Sequence, residues 1–344
     1  MTNPSISGLY EIAIGITAAD ESNVINYWDK FGFTVNLSGN LDREAAKKLY
    51  GVDSNVRSLR LQNKVTDRSL LRLMIWDNPV NEGLGLSPLK VVGSRWGTSL
   101  CLDVFNVPNH AEDGQALGLP IYYVPPQRNL INRPENFTPF YQANPCVHEM
   151  VLIQPLTRQV IFQRHDYHRP NSGIVNPDSY FKASEFVHAG LIVDCESERL
   201  DFYDQVLGLV RTLDNVESGY SLASRNILEV KKENPDERMF NTYFTAPGYD
   251  LKEKNHVHSG NFEVLRLEGN LENKQTYSRP GCLGTSLYTL KVTDIDSYHQ
   301  KVSNSEATEV TEIIVNEFAE KSFSFVAPDG IFGRYYKVKY LNLL

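Results

Sequence analysis

Tyr10–Phe33 reads YEIAIGITAADESNVINYWDKFGF, and Val187–Leu209 repeats its pattern as VHAGLIVDCESERLDFYDQVLGL. Each copy is an alternating apolar strand, a polar break, an amphipathic helix with an aromatic pair, and an apolar-Gly-apolar ending. In the first copy Val24, Ile25, Tyr27, Trp28 and Phe31 recur at spacings that place them on one helical face. Glu11 and His188 hold equivalent places near the two strand starts. Burying a titratable group without a partner is costly, so these positions mark a candidate site as well as a fold.

A second pair of segments matches more weakly: GTSLCLDV at 97–104 and GTSLYTLKV at 284–292. The chain therefore divides into four units, about 8–90, 95–170, 185–275 and 282–340, each too small to bury its own sheet face. The first shows strands at 9–17, 34–37, 56–62 and 70–76 around a helix at 21–31. The third repeats this with a helix at 197–207 and strands at 220–224, 238–244 and 262–267. The fourth has a strand at 286–293, a helix at 295–303 and strands at 308–316, 321–327 and 332–339. The second is least regular, and βαβββ four times over is the simplest reading.

Its irregularity lies in 106–144, where Pro120, Pro125, Pro126, Pro134 and Pro139 alternate with aromatic residues and predict an ordered loop, either a lid or a cover for a sheet edge. A Pro/Asn/Ser-rich stretch at 166–184 marks the boundary between halves.

With 41% hydrophobic and 22% charged residues over 344 positions, the composition is that of a globular chain with room for two cores. A net charge of −8 without Lys/Arg runs argues against nucleic acid, and no apolar run reaches membrane-spanning length. The opening MTNPSISG has no basic segment followed by an apolar stretch, so the expected location is the cytoplasm. Cys101, Cys146, Cys195 and Cys282 lack metal or redox spacing and read as reduced, structural thiols. Nucleophile-elbow, phosphate-loop and dinucleotide motifs are absent, and no nucleotide cofactor is implied.

HAGLIVDCESERLDFYDQVLGL from His188, together with FVAPDGIFGRYYKV from Phe325, resembles the vicinal oxygen chelate superfamily of glyoxalases, bleomycin-resistance proteins and type I extradiol dioxygenases. The resemblance covers nearly the whole chain. It implies an α+β fold of four βαβββ modules paired into two incomplete barrels: an N-terminal glyoxalase-like domain over 1–170 and a C-terminal one over 171–344. It also implies up to four ligand positions in each cup. In the second half these map to His188, Glu263, Ser286 or Leu287, and Arg334. The first half offers Glu11, Arg72, Ser99 and a residue near Ile161.

Arg334 stands where the superfamily places a carboxylate, and a guanidinium cannot ligate a cation. No metal is therefore expected. If iron, manganese or zinc is bound, His188 and Glu263 are its ligands, with His256 and His258 of the nearby H-x-H as recruits. Without metal, His188, Glu263 and Arg334 form a candidate acid–base constellation, with His188 as base and Arg334 as charge stabiliser. A hydrogen-bonded internal histidine doing no chemistry is the alternative. Tyr288, Phe332 and Tyr336 are expected to wall an apolar or aromatic ligand, with Glu11 and Arg72 either contacting it or paired as a buried salt bridge. His110, His148, His165, His168 and His299 receive no role.

The expected function is a lyase- or isomerase-type proton transfer on a small, largely apolar or aromatic metabolite. A non-catalytic binder that sequesters such a molecule is the alternative, and a metal-dependent extradiol-type dioxygenase the second. The expected partner is that small molecule, with neither nucleic acid nor membrane, and a homo-oligomer is compatible with the sequence.

Overall fold

The structure, a computed structural model, describes residues 6–130, 145–218, 222–229, 238–247 and 258–337; the side chains of 215–218, 222–223, 332 and 334–337 lie outside that description. Four βαβββ modules are present. The first runs β1 (Ile6–Ile16), α1 (Glu21–Lys30), β2 (Thr34–Leu41), α2 (Arg43–Tyr50), β3 (Val56–Gln62) and β4 (Leu70–Trp76). The extra helix α2 is capped at both ends: the Asp42 side chain accepts from Ala45 N at 2.8 Å, and Gly51 closes it with φ of 71°. The second module runs β5 (Arg95–Cys101), α3 (Val107–Ala116), β6 (Tyr122–Leu130), β7 (Cys146–Ile153) and β8 (Arg158–His165).

The third and fourth modules follow the same order. The third contains β9 (Ala183–Val193), a 3₁₀ turn at Ser197–Leu200, a π turn at Phe202–Val206, β10 (Val210–Ser218), α4 (Leu222–Leu228), β11 (Arg238–Thr245) and β12 (Asn261–Leu267). The fourth contains β13 (Gly284–Val292), α5 (Ile295–Ser303), β14 (Ile314–Val315), β15 (Lys321–Val326) and β16 (Phe332–Lys337).

The expected loop at 106–144 is helix and strand over much of its length. Pro108 sits in the first turn of α3, where its missing N–H costs nothing. Pro125 and Pro126 fall at the register shift of β6, an edge strand that has no further neighbour to lose a hydrogen bond to. Residues 131–144 lie outside the described residues. The strand expected at 220–224 is instead the start of α4 where it is described.

The modules form two eight-stranded sheets, in the orders β14-β15-β16-β13-β1-β4-β3-β2 and β10-β11-β12-β9-β5-β8-β7-β6. The first module thus shares a sheet with the fourth, and the second with the third. This corrects the division into 1–170 and 171–344, which assumed that consecutive modules pair. The reason lies in the two linkers. Residues 77–94 and 268–283 cross between sheets side by side: Val80 N donates to Gly281 O at 2.7 Å, Val92 N to Glu272 O at 2.9 Å and Leu283 N to Asn81 O at 3.1 Å. At Gly83, whose φ is 69°, a Cβ would lie 1.9 Å from the Leu283 carbonyl, so only glycine permits this approach.

Each sheet joins its modules through one antiparallel pair, β1 with β13 and β5 with β9. A shared core fills the space between the sheets. Trp28 and Phe33 pack edge-on and tilted against Phe186 at 5.5 and 4.9 Å, while Phe202 meets Phe325 at 5.7 Å. Helix α2 contributes Ala46 and Leu49 to an apolar cluster on the first concave face, and α4 contributes Ile227 and Leu228 to one on the second. The four cysteines form no disulfide, and burial pushes the Cys101 and Cys195 thiols up to about 11 and about 12. Among the described residues no helix is long and apolar enough to cross a membrane.

Candidate functional site

The two concave faces have taken opposite courses. On the first, Arg60 Nε donates to Glu11 at 2.5 Å, while its terminal nitrogens hold Glu320 at 2.9 Å each. Arg72 pairs with Glu11 at 2.9 Å and with Glu317 at 3.5 Å. The Tyr50 hydroxyl donates to Glu317 at 2.7 Å and the Thr289 hydroxyl to Glu11 at 3.0 Å. Phe318 lies against both guanidiniums, 4.3 and 4.6 Å from its ring centre. Burial alone would depress Arg72, but Glu11 and Glu317 outweigh it and hold the guanidinium above its ordinary value. Glu317, Phe318 and Glu320 come from the turn between β14 and β15, so the chain itself fills this cup. Of the two readings the sequence offered for Glu11 and Arg72, ligand contact or a buried salt bridge, the structure has the salt bridge.

The second concave face is open and encloses about 640 Å³. Strand register explains its lining. Thr98 on β5 and Asn261 on β12 both sit opposite His188 on β9. One step further, β11 pairs Tyr243 with Glu263 and Phe244 with Phe262, which brings Thr245 beside Asn261. A polar row, Thr98–His188–Asn261–Thr245, therefore crosses four strands. The next row is Trp96, Gly190, Glu263 and Tyr243. A Cβ on Gly190 would lie 2.0 Å from the Trp96 indole, so glycine here lets the ring lie flat on the sheet. Val160, Phe162 and Leu265 supply apolar wall, and Glu149 and Arg164 line the side formed by β7 and β8.

Within the cavity His188 Nε2 lies 3.2 Å from Glu263 Oε2, each side chain 15% exposed. Asn241 Nδ2 donates to Glu263 Oε1 at 3.0 Å, and the Tyr243 ring meets the imidazole edge-on at 5.5 Å. Burial pushes the Glu263 carboxyl up, but hydrogen bonds from His188, Tyr243 and Asn241 and the His188 charge outweigh it, leaving the carboxyl below its ordinary value. Burial, together with the Glu263 charge and its hydrogen bond, holds the Tyr243 phenol well above its ordinary value. Glu263 is an ionised acceptor surrounded by donors.

The expected constellation of His188, Glu263 and Arg334 does not form. The first two share the second sheet, whereas Arg334 lies on β16 of the first, with its backbone opposite Thr289 and Ser324. The exchange of modules separates them. Phe332 and Tyr336 share that strand and so leave the second cup; the side chains of all three lie outside the described residues. Tyr288 is 2% exposed and anchors sheet to sheet, donating from its hydroxyl to Gly190 O at 2.6 Å. His256 lies outside the described residues, and His258 contributes its carbonyl, which accepts from Asn261 Nδ2 at 3.2 Å.

A resident iron, manganese or zinc would need a third imidazole, thiolate or carboxylate beside His188 and Glu263. Among the described residues no three His, Cys, Asp or Glu side chains come together. The groups beside the pair are the Thr98 hydroxyl and the Asn241 and Asn261 carboxamides, which do not fit such a metal.

Thr98, Asn261, Thr245 and Asn241 were missed in the sequence. Asn241, Tyr243 and Thr245 alternate in NTYFT as Asn261 and Glu263 do in NFE. That period of two was the available signal for a shared face.

No known family profile matches the chain, and no curated protein matches it in sequence. Solved structures do. Glyoxalase I of Zea mays aligns with a TM-score of 0.53 at 12% identity, over 97% of this chain and 92% of that one. A provisionally named dioxygenase of Bacillus subtilis aligns with a TM-score of 0.53 at 10% identity, over 97% of this chain and 86% of that one. The fold is therefore the one seen in these glyoxalase and dioxygenase structures, over 97% of the chain.

Proposed function

We propose that this chain of vicinal oxygen chelate fold binds a small, largely apolar or aromatic molecule against its second sheet and moves a proton on it, as a lyase or isomerase does. The observation that carries this reading is the His188–Glu263 contact of 3.2 Å inside a cavity of about 640 Å³. A carboxylate only accepts, so Nε2 carries the hydrogen of that bond and the lone pair of neutral His188 resides on Nδ1. Glu263 thereby fixes the tautomer and offsets the imidazolium charge once Nδ1 has taken a proton from a ligand carbon. Trp96, Phe162 and Leu265 give the cavity around the dyad an apolar wall.

The test is proton exchange. Ligands found by thermal shift are incubated with the protein in deuterated water, and loss of an acidic C–H signal is followed by NMR. Wild type is expected to exchange it, and His188→Ala to slow exchange by about 100-fold or more while still binding. If wild type exchanges no ligand that it binds, the proton-transfer reading falls. A protein that sequesters the same class of molecule is then the reading that stands. One observation favours that second reading: with Arg334 in the other sheet, the dyad lacks the charge stabiliser expected beside it.

A further inference from the structure

The face of β7 and β8 turned away from the cavity carries two histidines that the proton transfer does not use. Val147 and Glu149 line the cavity from β7, as Phe162 and Arg164 do from β8. Strand alternation therefore sends His148 and His165 to the opposite face. There His148 Nδ1 lies 2.7 Å from His165 Nε2, and both residues are half-buried. Phe105 closes one side, edge-on to His148 at 5.1 Å. Among the described residues neither imidazole makes a further hydrogen bond or an ion pair.

The contact is a poor hydrogen bond. A straight N–H···N bond of that length would hold the ring centres about 5 Å apart, whereas they lie 4.2 Å apart with their planes inclined by 63°. The ring axes are bent off the line between the nitrogens, as two neighbouring ligands of one ion require. Two metal–imidazole bonds of about 2.0 Å separate their nitrogens by about 2.8 Å at a right angle and by about 3.3 Å at the tetrahedral angle. The observed spacing fits the right angle, the geometry of copper(II) and nickel(II).

Sheet pairing fixes this spacing. Cys146 stands opposite His165 and Gln163 opposite His148, so the rings sit on a diagonal between paired strands. Cys146 is buried and does not complete a three-residue ligand set. Burial, then His165 and Arg128, hold the His148 imidazole below its ordinary pKa, which keeps its lone pair available at neutral pH. Arg128, opposite His148 on β6, also repels a cation, but it is exposed and screened by solvent.

We propose that His148 and His165 form a two-imidazole site for copper(II) or nickel(II), with water in the remaining positions. An ion there bridges β7 to β8 and braces the strands that carry Val147, Glu149, Phe162 and Arg164 into the cavity wall. The site does not depend on what the cavity binds.

The experiment is titration of the full chain with nickel(II) chloride, followed by calorimetry and by amide NMR. Wild type is expected to take up one equivalent whose affinity falls about ten-fold or more in His148→Gln and in His165→Gln, as loss of one of two metal bonds entails. His188→Gln should leave that uptake unchanged. Paramagnetic broadening by the ion should include residues 146–149 and 163–166, a readout that needs no substitution. No uptake by wild type would overturn the proposal. So would an equivalent that persists in both outer-face variants, one lost in His188→Gln instead, or broadening absent from those two stretches.

Discussion

The Tyr288 hydroxyl, on the central strand of the first sheet, donates to the Gly190 carbonyl of the second at 2.6 Å and accepts from Trp96 N at 3.1 Å. Trp96, whose indole lies over Gly190, lines the open cup, so this contact fixes one sheet beneath the site of the other. Tyr288→Phe removes both bonds. It is expected to lower the unfolding free energy by about 1–3 kcal/mol in urea titrations. A change within error would mean that this contact adds nothing to the joining of the two sheets.

The filled cup depends on Glu11, which bridges Arg60 and Arg72. Removing its charge takes one carboxylate from each guanidinium, while Arg60 keeps Glu320 and Arg72 keeps Glu317. Glu11→Gln should therefore cost about 1–3 kcal/mol of stability, as the loss of buried charged hydrogen bonds does. Arg72→Met combined with Glu11→Leu should cost less than the sum of the single changes, because the pair is removed together. A double-mutant cycle from denaturant unfolding measures both, and additive costs would show that the two side chains are not coupled.

Much of the secondary structure was legible in the sequence and its assembly was not. Val56–Gln62 and Leu70–Trp76 stand out because alternation or unbroken apolar runs are local properties. The pairing of modules is not local, since nothing in 77–94 states which sheet the chain will join. His188 and Glu263 were conspicuous as titratable groups on apolar strands. Asn261, Thr98 and Thr245 were not: a neutral polar residue in a short strand gains meaning only once its neighbours across the sheet are known. Arg334 failed for the same reason, as its assignment to a cup depended on the pairing.

Glu263 gives the site a pH signature. Its carboxyl is held below the ordinary value of 4.5 in the folded protein. Between that value and the lowered one, the unfolded chain holds more protons than the folded one, so stability rises with pH in this window. The contribution is complete above pH 4.5 and lost as pH falls through the folded value. Glu263→Gln should flatten the acid limb of a stability profile, and an unchanged limb would mean that its hydrogen bonds do not favour the charged form.

The exchange of modules makes the sharpest prediction about folding. Cutting in the stretch between β8 and β9 gives halves that look like complete domains in sequence. Yet β1 of the N-terminal half needs β13, and β5 needs β9, each from the other half. A lone N-terminal half would expose the inner edges of two four-stranded sheets and the aromatic surface that Phe186 covers on Trp28 and Phe33. Such a chain is expected to lack cooperative unfolding as a monomer, and to regain it when mixed with the C-terminal half as a stable one-to-one complex. Size exclusion with light scattering, alongside thermal unfolding of each half and of the mixture, decides the matter. A monomeric N-terminal half that unfolds cooperatively on its own would restore the division into consecutive domains.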